Sequence, residues 1–271
     1  MSDLSNIFLL SLLGGVAGIV VASLFLKIKS WSHALTKYST PFAAGVLLTV
    51  SFLGLLPEAV HMIGEQAFLL VFVSFIGSYL FENFIFDLHH HHDDDHVHGH
   101  RHSSSFLVIV GDTVHNFIDG IAIAATYLIN PGLGLATAVS SLLHEIPHEI
   151  GDFGILLKNG FSKKKVFWLN FLSSLSTVVG AVYVYYYAVG ETIQGVLMAI
   201  ATGMFVYLGA SDFLPKANKG VDRFKSVGLL LLGVVLMYIT LALVPHSHDE
   251  HGDEESIYLE DYHEEELRDD E

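Results

Sequence analysis

Cysteine is absent from all 271 residues. Disulfides and thiolate metal ligands are therefore excluded, any metal site must use nitrogen and oxygen, and cysteine usage carries no information on the redox compartment. Basic residues are scarce too, with 13 Lys and Arg against 29 Asp and Glu, and no nucleic-acid partner is expected. Long polar stretches are missing from most of the chain. They are confined to residues 89–105 and to the tail from residue 246, so there is no room for a separate soluble domain.

Apolar residues make up 52% of the chain and the mean hydropathy is +0.51, too high for an ordinary soluble domain. Eight candidate membrane spans can be drawn, over residues 7–27, 41–62, 67–88, 106–130, 133–157, 166–189, 192–212 and 227–244. Each has the roughly 20 apolar residues that a helix needs to cross about 30 Å of hydrocarbon. The expectation is an all-α polytopic membrane protein: helices one to three in residues 1–88, a His-rich loop at 89–105, helices four to eight in 106–245, and an acidic tail at 246–271. The first span has neither a basic leading segment nor a small-residue cleavage site, and is read as a retained helix.

Orientation follows from the basic residues, which stay in the cytoplasm when they lie near span ends. Twelve of the 13 fall in odd-numbered connections, and the remaining one, Arg268, lies in the tail. Both termini are therefore expected outside, with the loop after the third span in the cytoplasm and the cell membrane as the location.

The formal charge of −16 is concentrated in the tail, which holds 13 of the 29 acidic residues. Two readings of the tail stand, a solvated disordered segment and a weak cation antenna using His246, His248, His251 and His263. Residues 89–102 hold eight histidines with Asp93, Asp94 and Asp95. That composition cannot pack a core, and reads either as a loose metal buffer or sensor or as a linker. A faint internal echo joins Leu56-Pro57-Glu58-Ala59, closing the second span, to Leu214-Pro215-Lys216-Ala217, closing the seventh. By the topology above these ends lie on opposite sides, as inverted repeats require.

Spans one, six and eight contain no acidic residue or histidine, whereas the fourth and fifth hold Asp112, His115, Asp119, His144, Glu145, His148, Glu149 and Asp152. A charged group at the bilayer centre costs about 2.5–3.5 kcal/mol on insertion scales, so a cluster needs compensation, which a bound dication supplies. At about 100° per residue, Asp112, His115, Asn116 and Asp119 share an arc of roughly 100° on the fourth helix. The five ionisable residues of the fifth helix share roughly 140°. Both sets reach mid-bilayer, and a short connection at residues 130–132 lets the two faces meet. Pro147 removes an amide that would bond the Leu143 carbonyl, which reads either as a functional loosening or as a tolerated kink.

The runs His115-Asn116-Phe117-Ile118-Asp119-Gly120 and His144-Glu145-Ile146-Pro147-His148-Glu149-Ile150-Gly151-Asp152 resemble the paired signatures of the ZIP family of zinc and iron-regulated metal transporters, most closely the subfamily with an HEXPHEXGD fifth helix. The resemblance implies uptake of Zn²⁺, and in some members Mn²⁺, Fe²⁺ or Cd²⁺, toward the cytosol. It implies eight helices arranged as two inverted three-helix repeats around helices four and five. It also implies a ligand set of His115, Asn116, Asp119, His144, Glu145 and His148, with Glu149 beside them. Members with two metals carry an acidic residue on helix six, where this chain has Ser173, Ser174, Leu175, Ser176 and Thr177.

Asp112 and Asp152, about one turn to the cytoplasmic side of these motifs, are expected to line the exit. Glu58 and Asp212, near the ends of spans two and seven, are further pathway candidates. The partners expected are divalent cations and the lipid bilayer; oligomeric state is not encoded, a homodimer being one assembly considered.

Two rival classes exist. His144-Glu145-Ile146-Pro147-His148 satisfies the H-E-x-x-H pattern of zinc proteases, yet that reading leaves the His115 to Asp119 face unused, and Asn130-Pro131-Gly132 only partly matches the NPDG element of intramembrane proteases. A sensor without transport explains the His-rich loop but not ligands in mid-membrane.

Overall fold

The computed structural model describes residues 2–25, 29–87, 100–187, 190–217 and 221–243, which leaves most of the His-rich loop and the acidic tail outside the described residues. Among the described residues there are eight helical runs and no strand. Helix α1 comprises Asp3–Ser11, a π-helical turn at Leu12–Val16, and Ala17–Phe25. Helix α2 comprises Lys29–Val50, a π-helical turn at Ser51–Leu55, and Leu56–Ile63. Helices α3 (Gln66–Asp87), α4 (His100–Ile129), α5 (Pro131–Lys158) and α6 (Lys163–Tyr187) follow without such turns. Helix α7 repeats the composite pattern with Glu191–Tyr207, a π-helical turn at Leu208–Phe213, and Leu214–Ala217. Helix α8 is Arg223–Ala242.

Seven of the eight are long and apolar enough to cross a membrane. The exception, α5, has the length but carries Glu145, Glu149 and Asp152. The second helix starts at Lys29 and not near Pro41, which lies inside it. Polar residues 29–40 are invisible to a hydropathy window, yet backbone hydrogen bonding continues through them. Pro147 likewise lies within an uninterrupted α5.

Local chemistry sets the short connections. Asn130 caps α5 by accepting from the amides of Gly132 and Leu133, with Pro131 in the first turn where no amide partner is needed. Gly64 and Gly190, at φ 65° and 120°, turn the chain between α2 and α3 and between α6 and α7 in a region closed to most side chains.

The distribution of polarity is inverted relative to a soluble protein. Phe68, Leu69, Phe72 and Val73 on α3 and Leu231, Leu232 and Val235 on α8 are exposed, while Asn116, His144, Glu145 and Glu149 are fully buried. A surface of that kind matches hydrocarbon, not water. Helix pairs approach through glycine: a Cβ on Gly120 would lie 1.9 Å from the Thr177 carbonyl oxygen, and one on Gly180 2.1 Å from that of Phe117. These two contacts lock α4 to α6. Gly45 and Gly233 do the same between α2 and α8, as small residues do in membrane helix packing. Helix α3 packs on α7, and α5 is surrounded by α1, α2, α4 and α6.

Candidate metal centre

The site grows from two helix faces. On α4, His115 and Asp119 are one turn apart; on α5, His144 and Glu145 are adjacent, and their side chains leave the helix on the face toward α4. The Nε2 atoms of His144 and His115 are 3.2 Å apart. His144 Nε2 is 3.1 Å from Asp119 Oδ2, and His115 Nε2 is 3.6 Å from Glu145 Oε2 and 3.9 Å from Asp119 Oδ1. All four residues are buried.

Proton bookkeeping points each ligand atom inward. His144 Nδ1 lies 2.9 Å from the carbonyl oxygen of Ser140; a carbonyl only accepts, so Nδ1 carries the hydrogen and Nε2 keeps its lone pair. Asp119 Oδ2 accepts from Ser141 Oγ, leaving Oδ1 without a partner, and Glu145 Oε2 is also unpartnered. With His115 Nε2 deprotonated as well, two imidazole nitrogens and two carboxylate oxygens converge, and no lysine or arginine lies among them. In a buried setting the two carboxylates need compensating positive charge, which a bound dication supplies once both imidazoles are neutral. Zinc bonds of about 2.0–2.2 Å at a tetrahedral centre place ligand atoms about 3.3–3.6 Å apart, close to the spacings observed.

Helices α1 and α7 complete the walls. A Cβ on Gly18 would meet Glu145 Cγ at 2.8 Å, so α1 presses on the carboxylate stem. The Phe205 ring lies 5.5 Å from that of His144.

The structure divides the expected residues into neighbouring groups. His148 is in a second one, its Nδ1 3.9 Å from Asp112 Oδ1 and 4.0 Å from Asp152 Oδ2, although its ring remains 4.9 Å from that of His115. Glu149 is in a third with Asp112 and Glu145, and neither of its carboxylate oxygens has a partner. Asn116 turns its amide nitrogen to Asp112 and Glu145. Asp212 pairs with Lys216 one turn on and lies within electrostatic reach of His148. Glu58 is apart from all of these, beside a recess of about 60 Å³ with Pro57, Asn130, Leu133 and Leu241. Sequence reasoning missed Ser140 and Ser141. Their signal was position: they lie one turn before His144 and Glu145 on the same face of α5.

The chain is 37% identical over 143 residues to "Zinc transporter ZIP4" of Mus musculus, covering 50% of this chain and 22% of that protein. It is 34% identical over 133 residues to "Zinc transporter foi" of Drosophila melanogaster, covering 49% and 18%. It is 39% identical over 115 residues to "Metal cation symporter ZIP8" of Rattus norvegicus, covering 42% and 24%. The matched region is thus about a fifth of the length of these relatives. The family described as "ZIP Zinc transporter" matches residues 4–106 and 88–241, nearly all of the helical part, and on that match this membrane protein belongs to the ZIP family.

Proposed function

We propose that this chain carries divalent cations, zinc foremost, across the membrane into the cytosol, through a mid-membrane site formed by His115, Asp119, His144 and Glu145. The observation that carries the reading is the convergence of one ligand atom from each of the two histidines and two carboxylates, all within 4.8 Å of one another, at a buried point with no lysine or arginine among them. The same nitrogen and oxygen donors also suit Mn²⁺, Fe²⁺ and Cd²⁺.

On this reading all eight helices span the bilayer, with both termini outside the cell membrane. Helix α4 then enters from the cytoplasm and α5 from outside, so Asp112, His148 and Asp152 lie on the cytoplasmic side of the four-ligand group and receive the departing ion. Two inverted three-helix repeats frame the α4–α5 pair. Leu56-Pro57-Glu58-Ala59 and Leu214-Pro215-Lys216-Ala217 each follow directly on a π-helical turn. Gly45 precedes Leu56 by the same interval that separates Gly203 from Leu214, and both glycines meet a carbonyl of a neighbouring helix. Exchanging α1 with α6, α2 with α7, α3 with α8 and α4 with α5 maps the α2–α8 packing onto α7–α3 and α4–α6 onto α5–α1.

The same geometry disfavours the protease reading. An H-E-x-x-H centre needs both histidines on one metal, whereas His144 and His148 fall in different groups here. The test is initial zinc uptake into proteoliposomes. The wild type should load zinc, and Asp119→Ala or His144→Ala should cut uptake at least about tenfold by removing one of four ligands. Wild-type rates in both variants would sink this site, and Glu145-dependent peptide cleavage would favour the enzyme.

A further inference from the structure

Asn116 is fully buried, and its carboxamide orientation is dictated from both ends. The nitrogen lies 2.9 Å from Asp112 Oδ1 and 2.9 Å from Glu145 Oε1, and the oxygen lies 2.9 Å from Thr177 Oγ1. Carboxylates only accept hydrogen bonds when ionised, so the end between Asp112 and Glu145 must be the NH₂. Turning the amide over would set its oxygen against two acidic oxygens. The Thr177 hydroxyl prevents this by donating to the oxygen and holding it toward α6. The hydroxyl has little freedom of its own, since α1 passes so close that a Cβ on Gly15 would lie 2.5 Å from Thr177 Oγ1.

An amide N–H has no lone pair for a metal. Asn116 therefore acts in this arrangement as a neutral bridge, tying Glu145 of the four-ligand group to Asp112 of the group that includes His148. The bridge occupies Glu145 Oε1 and leaves Oε2 as the atom that faces His115.

We propose that Thr177 is a positioning residue for the metal site: it fixes Asn116 as a hydrogen-bond donor, which aims Glu145 Oε2 at the ion and withholds the Asn116 oxygen from it. The proposal rests on the four-ligand group being the transport site. It assigns a role to one hydroxyl of the helix-six stretch Ser173 to Thr177, the region in which two-metal members carry an acidic residue.

Zinc uptake by the full chain in proteoliposomes tests it, with KM and Vmax separated. Thr177→Val keeps the shape and removes the donor, and should raise KM about fivefold, the worth of one buried hydrogen bond, with Vmax little changed. Thr177→Ser keeps the donor and should stay within about twofold of wild type. The double variant Thr177→Val/Asn116→Ala should be no worse than Asn116→Ala alone, because the hydroxyl acts only through the amide. A wild-type KM in Thr177→Val overturns the proposal; so do equal losses in Val and Ser variants, or additive losses in the double variant, which mark packing. If the wild type carries no zinc, the transport reading fails instead. The same pattern is then required of the zinc-induced rise in Tm, and its absence there overturns the role of Thr177.

Discussion

Ser141 and Thr137 lie one turn apart on α5, both buried, and differ in what their hydroxyls reach. Thr137 Oγ1 bonds only the Leu133 carbonyl of its own helix, while Ser141 Oγ donates across to Asp119 Oδ2. Removing a hydrogen bond that orients a metal-binding carboxylate typically costs about 10–100-fold in affinity. Ser141→Ala is therefore expected to raise the zinc KM at least about tenfold, and Thr137→Val to leave it within about twofold. Equal KM values in the two variants would contradict this assignment. His148 makes a different prediction, because it faces Asp112 and Asp152 at 3.9 and 4.0 Å and is outside the four-ligand group. His148→Ala should lower Vmax more than it raises KM, the reverse of His144→Ala; a pure KM effect would return His148 to the primary ligands. The polar faces were legible in the sequence because helical periodicity puts His115 with Asp119 and gathers His144, Glu145, His148, Glu149 and Asp152 on one side of α5, but it does not separate His148 from His144 and Glu145. The hydroxyls behind them were not. Many buried Ser and Thr here bond their own preceding turn, as Thr126, Thr137 and Thr202 do. Which ones reach across depends on how closely two helices cross.

At the scale of elements, closeness is set by glycines, and α8 offers an internal contrast. A Cβ on Gly233 would lie 2.2 Å from the Phe42 carbonyl oxygen, whereas one on Gly228 meets nothing within 4 Å. Backbone cannot yield as a side-chain tip can, so Gly233→Ala must push α8 away from α2. Overpacking of this kind costs about 1–3 kcal/mol or more, so Tm in detergent should fall on the order of 5 °C, while Gly228→Ala should be neutral. Equal melting of the two variants would mean that α2 and α8 are not in this contact. Helix existence was legible because lipid demands long apolar runs, and the ends of α3 fall within a residue of expectation. The start of α2 and the π-helical turns in α1, α2 and α7 were not. The first lies in polar sequence, and the turns arise where a helix shifts its hydrogen-bond register to fit its neighbours.

For the whole molecule, the direction assigned to transport hangs on which face of the protein meets the cytosol. Along α4, Asp112 precedes Asp119 by seven residues, or about 10 Å of rise, and along α5 Asp152 follows Glu145 by the same interval. The helices are antiparallel neighbours, so Asp112 and Asp152 are displaced from the four-ligand group toward one common side, the side where Lys158, Lys163, Lys164 and Lys165 begin the approach to α6. If that side is cytoplasmic, as the basic residues indicate, the Asp112, His148 and Asp152 group is an exit. If it is external, the same group is an entrance and the proposed flux reverses. The absence of cysteine makes the question directly answerable, because a single introduced thiol has no background. Glu65 lies between α2 and α3 and Lys164 in the first turn of α6, and both are exposed. In intact cells, Glu65→Cys should react with a membrane-impermeant maleimide, and Lys164→Cys should react only after permeabilisation. The opposite labelling pattern would invert the topology and turn the carboxylate group on that side into the mouth through which the ion enters.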